Sequence, residues 1–265
     1  MDEWTRAMRR GDFAAAWEVC DRVLERRRAE GPRWDLPRHL QWVWDGRPFD
    51  GRRALVRCYH GLGDTLQFAR FLPRLARRAA SLTVWAQPAL LPLLATRGDL
   101  GRLLPLHDGA PEGRYDVEFE IMELAHALRA TPASLREDCP TFSVPAAPRL
   151  SPRFSVGLVL RAGDWDPRRR VPAELVQPLL ARRDVDFFNL LPGDLLPGAP
   201  SAAEEDVVRA AARASSMDLV ITVDTLMAHL AGSIGARARS RATSAARRPG
   251  VVWKRCSPTA SSRRI

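Results

Sequence analysis

Two short segments of this 265-residue chain place glycine, acidic and hydroxyl residues where a phosphate group could bind. The first is His60-Gly61-Leu62-Gly63-Asp64-Thr65, which stands between a predicted strand and a predicted helix. Glycines there let the backbone turn sharply and let a ligand approach closely, and the free N–H groups of a helix start attract anions. The same residues are compatible with a plain tight turn in which Asp64 caps the helix.

The glycine spacing of this first segment argues against a nicotinamide-dependent oxidoreductase. The dinucleotide-binding fingerprint requires a third glycine where Leu66 stands, and an acid at the end of the next strand, where Gln87 stands. Because Gly-x-Gly by itself is a weak signal, the segment predicts an anion-binding turn without naming the ligand.

The second segment runs from Asp218 to Gly232 and places Asp224 and Thr225 at the junction of a predicted strand and a predicted helix. Thr225 and the neighbouring N–H groups could hold phosphate oxygens, and Asp224 could accept hydrogen bonds from a sugar or ribose hydroxyl. His229 follows Thr225 by one helical turn, on the same face. The alternative is that Asp224 caps the helix while His229 packs inside the protein.

A third set of candidate residues is basic. Arg161 and the run Arg168-Arg169-Arg170 follow a predicted strand that ends at Leu160. Guanidinium groups at that edge of a sheet could clamp a diphosphate. A solvated run of charge explains the same residues equally well.

The elements that would position these residues alternate between strand and helix. From residue 54 onward, short apolar strands are separated by segments with helical apolar spacing, which predicts parallel sheets covered by helices on both faces. The predicted elements include a strand at 81–86 and helices at 65–80 and 225–234. Two such sets are separated by a proline-rich stretch with Pro140, Pro145, Pro148 and Pro152, which indicates a domain boundary. The predicted fold class is therefore α/β, with two Rossmann-like domains.

The N-terminal segment has a different pattern. Residues 3–30 show helical apolar spacing that is interrupted at Gly11-Asp12, which predicts a helical hairpin. The phrase that begins at Gly11, Gly-Asp-Phe-Ala-Ala-Ala-Trp, resembles a tetratricopeptide repeat, and an ordinary helical extension is an equally good interpretation. The predicted organisation is a hairpin with its connector at 1–50, Rossmann-like domains at 51–145 and 154–235, and a disordered tail at 236–265.

The net charge of +10 belongs almost entirely to the predicted tail. Residues 236–265 hold eight arginines, one lysine and no acid, so residues 1–235 carry a net charge of only +1. This distribution argues against a nucleic-acid-binding face on the domains. The tail has few aliphatic residues and no periodicity, which predicts disorder. Its composition is also typical of a shifted reading frame in a GC-rich gene, a hypothesis that sequencing the gene would test.

Other features of the composition bound the class of protein. The chain is 46% hydrophobic and 27% charged, as is usual for soluble globular proteins. Its four cysteines (Cys20, Cys58, Cys139 and Cys256) form no Cys-x-x-Cys pair, which predicts neither a zinc site nor a disulfide framework. The sequence predicts no signal peptide and no membrane span. We therefore expect a cytoplasmic protein, with a peripheral position at the inner membrane as a further option.

Taken together, the two segments resemble the paired motifs of the ADP-heptose:lipopolysaccharide heptosyltransferases, glycosyltransferase family 9. Residues 61–73 are similar to that family's N-terminal Gly-x-Gly-Asp…Pro motif, and residues 223–235 are similar to its Asp-Thr…His…Ala motif. The resemblance covers residues 50–235. With the helical hairpin in front, the chain is similar to the bacterial branch in which tetratricopeptide repeats precede the transferase.

This resemblance implies a GT-B-like fold and the inverting transfer of a heptose-like sugar from a nucleotide diphosphate sugar to a glycan or protein acceptor, with no metal or other cofactor. Asp64 would be the general base that takes the proton of the acceptor hydroxyl, and Arg170 would neutralise the leaving diphosphate. The implied donor-binding residues are Gly61, Gly63, Arg161, Arg170, Asp224, Thr225 and His229.

The chain departs from the family pattern in three places. Arg161-Ala162-Gly163 stands in place of a Trp-Ala-Gly turn, and Asn189-Leu190-Leu191 stands in place of Ser-Leu-Gln. The family sheet also continues beyond the position of Gly235, so an incomplete C-terminal domain is expected here. The alternative function is a non-catalytic protein that binds protein partners through its N-terminal helices and keeps a degenerate transferase domain.

Overall fold

The computed structural model describes residues 2–31, 33–137, 141–162 and 169–241. These residues form two compact units that divide between residues 138 and 139. Each unit has a parallel four-stranded sheet of its own. The predicted α/β class with two Rossmann-like sheets is therefore confirmed.

The first unit begins with two helices and continues as alternating strands and helices. Its strands are β1 (Arg53–Arg57), β2 (Ser81–Ala86), β3 (Arg102–Pro105) and β4 (Val117–Glu120). Its α-helices are α1 (Glu3–Arg10), α2 (Phe13–Glu30), α3 (Leu62–Phe68), α4 (Leu72–Arg78), α5 (Leu91–Leu94), α6 (Leu124–Ala127) and α7 (Pro132–Glu137). Short 3-10 turns cover Arg38–Leu40, Ala69–Phe71, Pro88–Leu90 and Ile121–Glu123.

The strand order of the first sheet is β3-β2-β1-β4, and its strands are parallel. Ala54 of β1 pairs with Leu82 of β2 on one side and with Val117 of β4 on the other. Leu55 and Val56 of β1 are completely buried, which fits a central strand covered on both faces. The order of the strands reverses between β1 and β4, and ligands of such sheets bind beyond the carboxyl ends of the strands at this reversal.

The predicted N-terminal helical hairpin is present, and capping residues fix its limits. The carboxylates of Asp2 and Asp12 accept hydrogen bonds from backbone N–H groups in the first turns of α1 and α2. Gly11 ends α1 in the left-handed conformation, with a φ of 73°, which glycine adopts without strain. None of the described helices is both long enough and apolar enough to cross a membrane.

The hairpin packs within the first compact unit. The indole Nε1 of Trp17 donates a 2.8 Å hydrogen bond to the carbonyl oxygen of Ala130. Asp21 lies 2.8 Å from His126 Nε2 and 2.7 Å from an Arg129 guanidinium nitrogen. The His126 ring stacks on Trp17, with the ring centroids 5.8 Å apart. The tetratricopeptide character of the hairpin stays a prediction.

The second unit repeats the alternation of strand and helix. Its elements are β5 (Phe154–Val159), α8 (Ala173–Leu180), β6 (Val185–Asn189), α9 (Val207–Ser215), β7 (Leu219–Val223), α10 (Leu226–Ser233) and β8 (Ala238–Arg241). The parallel strands follow the order β6-β5-β7-β8, which reverses between β5 and β7. Val156 and Leu158 of β5 pack with Phe187 of β6 and Val176 of α8 in the core.

The proline-rich segment predicted as a linker packs on the second unit in its described part, residues 141–153. The N–H groups of Thr141 and Phe142 donate to the carbonyl oxygen of Ser233, at 2.7 and 2.9 Å. Arg149 forms an ion pair with Asp218, at 2.8 Å. Residues 138–140, which include the first of the predicted boundary prolines, lie outside the described part of the chain.

The second sheet continues beyond Gly235, where the sequence predicts that the ordered domain ends. Ala238 to Arg241 form β8, which pairs in parallel with β7. The disorder predicted from residue 236 is therefore wrong for these four residues. An edge strand needs only backbone hydrogen bonds to its neighbour, so its sequence can lack the apolar alternation that would have revealed it. Residues 242–265, the rest of the predicted tail, lie outside the described residues.

Candidate functional site

The glycine-containing turn of the first unit follows β1 and starts α3. Gly61 is the N-cap residue, and Asp64 is the third residue of the helix. The carboxylate oxygen Oδ2 of Asp64 accepts the Gly61 N–H at 3.2 Å, as the capping interpretation predicts. The Asp64 side chain is half-buried, and its second oxygen has no hydrogen-bond partner among the described residues. One oxygen thus closes the turn while the other is available to a ligand.

Side chains from the neighbouring strand hold this turn in place. Gln87, which directly follows β2, donates from Nε2 to the carbonyl oxygen of His60 at 2.6 Å. The buried hydroxyl of Thr65 donates to Gln87 Oε1 at 3.1 Å. Gln87 stands where a dinucleotide-binding site would carry an acid, and here it links two parts of the turn instead.

His60 pairs with a buried carboxylate that sequence reasoning missed. Its Nδ1 lies 2.9 Å from Oε1 of Glu120, the last residue of β4. The side chain of Glu120 is only 2% exposed, whereas that of His60 is 25% exposed. The Glu120 carboxylate also accepts the N–H groups of Tyr59 at 3.3 Å and Met122 at 2.8 Å. These backbone donors anchor the carboxylate against the imidazole.

Opposing effects act on the pKa of His60. Burial lowers it, but the contact with Glu120 and the negative charges of Glu120, Asp64 and Glu123 outweigh burial, so the pKa of His60 is raised above its ordinary value. The acidic groups come from β4, from the turn after it and from α3. The protonated form of His60 is therefore more stable here than in an exposed histidine.

Glu123 joins the end of β4 to the connector that follows α2. Its carboxylate accepts the N–H groups of Val43 at 3.0 Å, Trp44 at 2.9 Å and Glu120 at 2.8 Å. Burial raises the pKa of Glu123 to about 7, even though three backbone donors favour the ionised form. The connector is thereby fixed beside the candidate site.

In the second unit, three of the predicted donor-binding residues lie together after β7. Asp224 follows the strand, Thr225 is the N-cap residue of α10, and His229 lies one turn into the helix. The Asp224 carboxylate is 3.4 Å from His229 Nε2 and 3.4 Å from an Arg169 guanidinium nitrogen. The contact with His229 lowers the pKa of Asp224, burial opposes it, and the charge of Arg169 reinforces it. Asp224 is therefore a charged group of the site and not the helix cap.

The two arginines of this unit that are predicted to bind the donor have different surroundings. Arg161 pairs through Nε with Asp194 at 2.8 Å. Arg170 is exposed and forms no ion pair within the described part of the chain. Arg168 lies outside the described residues, and Arg169, with a side chain only 12% exposed, has a guanidinium nitrogen 3.4 Å from the Asp224 carboxylate. The sequence shows a run of arginines but not which of them points toward the end of β7.

Both groups of residues lie at the strand-order reversal of their sheet. In the first unit, His60 follows β1 and Glu120 ends β4; in the second, Arg161 follows β5 by two residues and Asp224 follows β7. Parallel sheets place ligands at this point, because the helices on either side leave in opposite directions and open a crevice there. Each unit therefore carries its polar cluster where its topology leaves room for a ligand.

No protein-family model matches the chain. Protein FlbA of Caulobacter vibrioides is 25% identical in an alignment 270 residues long. The alignment covers 85% of this chain and 44% of FlbA. The chain therefore spans less than half of the length of this curated relative.

One solved glycosyltransferase has a similar fold, and two further structures are less similar. A glycosyl transferase of family 9 from Veillonella parvula DSM 2008 superposes with a TM-score of 0.51 at 15% identity, covering 73% of this chain and 81% of that one. The E. coli heptosyltransferase WaaC with ADP gives a TM-score of 0.45 at 13% identity, covering 71% and 86%. WaaC with ADP-2-deoxy-2-fluoro heptose gives 0.44 at 13% identity, covering 71% and 88%.

These findings define the class of the fold. The chain is an α/β protein with two Rossmann-like units of the GT-B type. More particularly, it has the fold of glycosyltransferase family 9, as the resemblance of its two motifs predicts.

Proposed function

We propose that the protein is a glycosyltransferase that moves a sugar from a nucleotide diphosphate sugar to a hydroxyl group of a glycan or protein acceptor. The sugar would be heptose-like, as the motif resemblance to the heptosyltransferases implies. The observation that carries the proposal is the family 9 fold combined with a polar cluster at the reversal point of each sheet. The second unit would bind the donor, and the first would bind the acceptor. The reaction would take place in the cytoplasm and proceed with inversion at the anomeric carbon.

The donor half of the proposal rests on α10 and Asp224. The backbone N–H groups at the start of α10, together with the Thr225 hydroxyl, would hold phosphate oxygens, because a helix N-terminus carries free donors and a partial positive charge. Asp224, kept ionised by His229 and Arg169, would accept hydrogen bonds from ribose or sugar hydroxyls. We assign the diphosphate-neutralising role to Arg169 ahead of Arg170, because Arg169 lies beside Asp224.

The acceptor half of the proposal rests on Asp64. Its carboxylate forms no ion pair within the described part of the chain, in contrast with Asp224, so its negative charge is not neutralised by a bound cation. Such a carboxylate can take the proton of an acceptor hydroxyl as the hydroxyl oxygen attacks the anomeric carbon. Gly61 and Gly63 leave the approach to this group free of side chains.

Paired amide variants test the two halves separately. Asp224→Asn should weaken the binding of a nucleotide diphosphate sugar about 10-fold, because it removes the ionised hydrogen-bond acceptor. Asp64→Asn should leave donor binding unchanged and lower the transfer rate about 100-fold or more. Binding is measured by calorimetry with ADP-, UDP- and GDP-sugars, and transfer is measured by release of the nucleoside diphosphate. Asp184→Asn, an exposed carboxylate in the second unit, is the matched control.

A wild-type chain that binds none of these donors would contradict the proposal. That result would favour the non-catalytic alternative, in which the N-terminal helices bind a protein partner. The fixed packing of Trp17 and Asp21 against the first unit already commits one face of the hairpin to the protein's own core.

A further inference from the structure

We propose that His60 is a second proton-accepting residue of the transfer reaction and that the buried carboxylate of Glu120 positions it. The inference rests on the proposed glycosyl transfer and deepens it. It uses two residues to which neither the motif resemblance nor the proposed function gives a role.

The position of the pair within the sheet is the first argument. His60 follows β1, and Glu120 is the last residue of β4. The strand order of the first sheet reverses between these two strands. A substrate bound at this crevice lies against the ends of both strands. His60 is also four residues before Asp64 in the same turn, so an acceptor hydroxyl that reaches one of these side chains is near the other.

The rigidity of the pair is the second argument. Two backbone N–H groups, from Tyr59 and Met122, hold the Glu120 carboxylate, and Gln87 holds the carbonyl oxygen of His60. Because Nδ1 of His60 faces Glu120 at 2.9 Å, Nε2 is the ring nitrogen left for a substrate. Glu120 therefore acts on the ring chiefly through its charge at short range, which stabilises the protonated form, as the carboxylate beside a catalytic histidine does in hydrolases.

The charges around the ring are the third argument. The groups that act on His60 are Glu120 and Glu123 from the end of β4, and Asp64 from α3, and each of them favours the imidazolium ion. A buried carboxylate with no cation beside it is costly, so protonation of the His60 ring is favoured further because it neutralises Glu120. The site therefore stabilises the proton that transfer releases.

The chemical step balances without a further reactant. The acceptor oxygen forms a bond to the anomeric carbon of the donor sugar, and the bond from that carbon to the diphosphate oxygen breaks, with its electron pair leaving on the nucleoside diphosphate. At a pH above the raised pKa of His60 the ring is neutral, and the acceptor proton passes to its Nε2, either directly or from Asp64. The resulting imidazolium ion is stabilised by Glu120. Glu120 acts through His60 and is a positioning residue.

Two isosteric variants and one control test the assignment. His60→Gln should lower kcat about 100-fold and leave the KM for the donor unchanged. Glu120→Gln should lower kcat less, and it should shift the acid limb of the pH–rate profile to lower pH, because the ring loses its stabilising charge. His39→Gln, at an exposed histidine of the same unit, should match wild type. Thermal unfolding of each variant shows whether the fold is retained.

A measurement that does not depend on activity accompanies the kinetics. The His60 imidazole is titrated by NMR in wild type and in Glu120→Gln, and its pKa should be raised in the first and fall in the second. An unshifted His60 in wild type overturns the positioning by Glu120. His60→Gln with wild-type kcat and pH profile overturns the proton-accepting role while leaving the proposed transferase intact. A wild-type chain that transfers no sugar overturns the proposed function, and this inference with it.

Discussion

Gly101, the residue before β3, adopts a backbone conformation that a larger side chain would strain. Its φ is 72°, and a Cβ atom there would lie 2.2 Å from the backbone carbonyl oxygen of Leu82. A backbone oxygen in a strand cannot move aside as a flexible side chain can. The start of β3 is therefore fixed both by the left-handed conformation and by the close approach of β2.

Gly101→Ala should lower the free energy of unfolding by about 2 kcal/mol or more, since the left-handed conformation and the clash both penalise it. Urea unfolding followed by circular dichroism measures the change. Gly98→Ala is the matched control, because a Cβ atom at Gly98 meets no atom within 4 Å. Equal losses in the two variants would contradict the packing described here.

Sequence patterns identify site residues that are neighbours along the chain. They do not identify residues that the fold brings together from distant positions in the sequence. Asp224, Thr225 and His229 lie within six residues of the sequence, and the structure places His229 Nε2 3.4 Å from the Asp224 carboxylate. Glu120 lies sixty residues from its partner His60 and ends an edge strand, where nothing in the local sequence distinguishes it from a solvated acid. Residue type alone does not distinguish Arg169 from Arg170, although only Arg169 of the two lies beside Asp224.

Helices and strands are well predicted where an apolar pattern is continuous. The predicted strand at 81–86 matches β2 to the residue, and the predicted helix at 225–234 differs from α10 by one residue at each end. The single helix predicted over residues 65–80 is instead two helices, α3 and α4, separated by a 3-10 turn at Ala69–Phe71. The apolar spacing continues through that turn, because Ala69 in the turn is buried together with Leu66 of α3 and Leu72 of α4.

The hairpin of α1 and α2 depends on one buried indole for its attachment to the first unit. Trp17→Phe keeps most of the apolar contact but leaves the buried carbonyl of Ala130 without its donor, which should cost about 1–3 kcal/mol. Thermal unfolding of the first unit measures the loss. Glu18→Ala, at the exposed neighbouring position, should be nearly neutral. If the hairpin were a free-standing repeat, Trp17→Phe would leave the unfolding of the sheet unchanged.

The whole molecule is built from two units with separate sheets and separate cores. The first sheet has the strand order 3-2-1-4 counted along its own unit, and the second has the order 2-1-3-4. The alternation of strands and helices predicts that each unit has a parallel sheet. It does not predict these strand orders, because the same sequence pattern is compatible with more than one set of crossover connections. The orders in turn decide which loops meet at each reversal point.

Gly157→Ala tests how separately the two units unfold. Gly157 lies in the middle of β5, where a Cβ atom would lie 2.4 Å from Leu190 Cδ1 and 3.3 Å from Met217 Cγ. Overpacking of this kind should destabilise the second unit by about 1–3 kcal/mol. Hydrogen exchange should become faster in β5 to β8 and stay unchanged in β1 to β4. Faster exchange throughout the chain would show that the two units unfold together.

The positions of the tryptophans determine which part of this protein intrinsic fluorescence monitors. Six of its eight tryptophans, among them Trp17 and the T-shaped partner of His126, Trp44, lie in the first unit, and the other two lie outside the described residues. Intrinsic fluorescence therefore reports chiefly on the first unit, whereas far-ultraviolet circular dichroism averages over both. Unfolding curves recorded by the two signals should separate whenever one unit melts before the other.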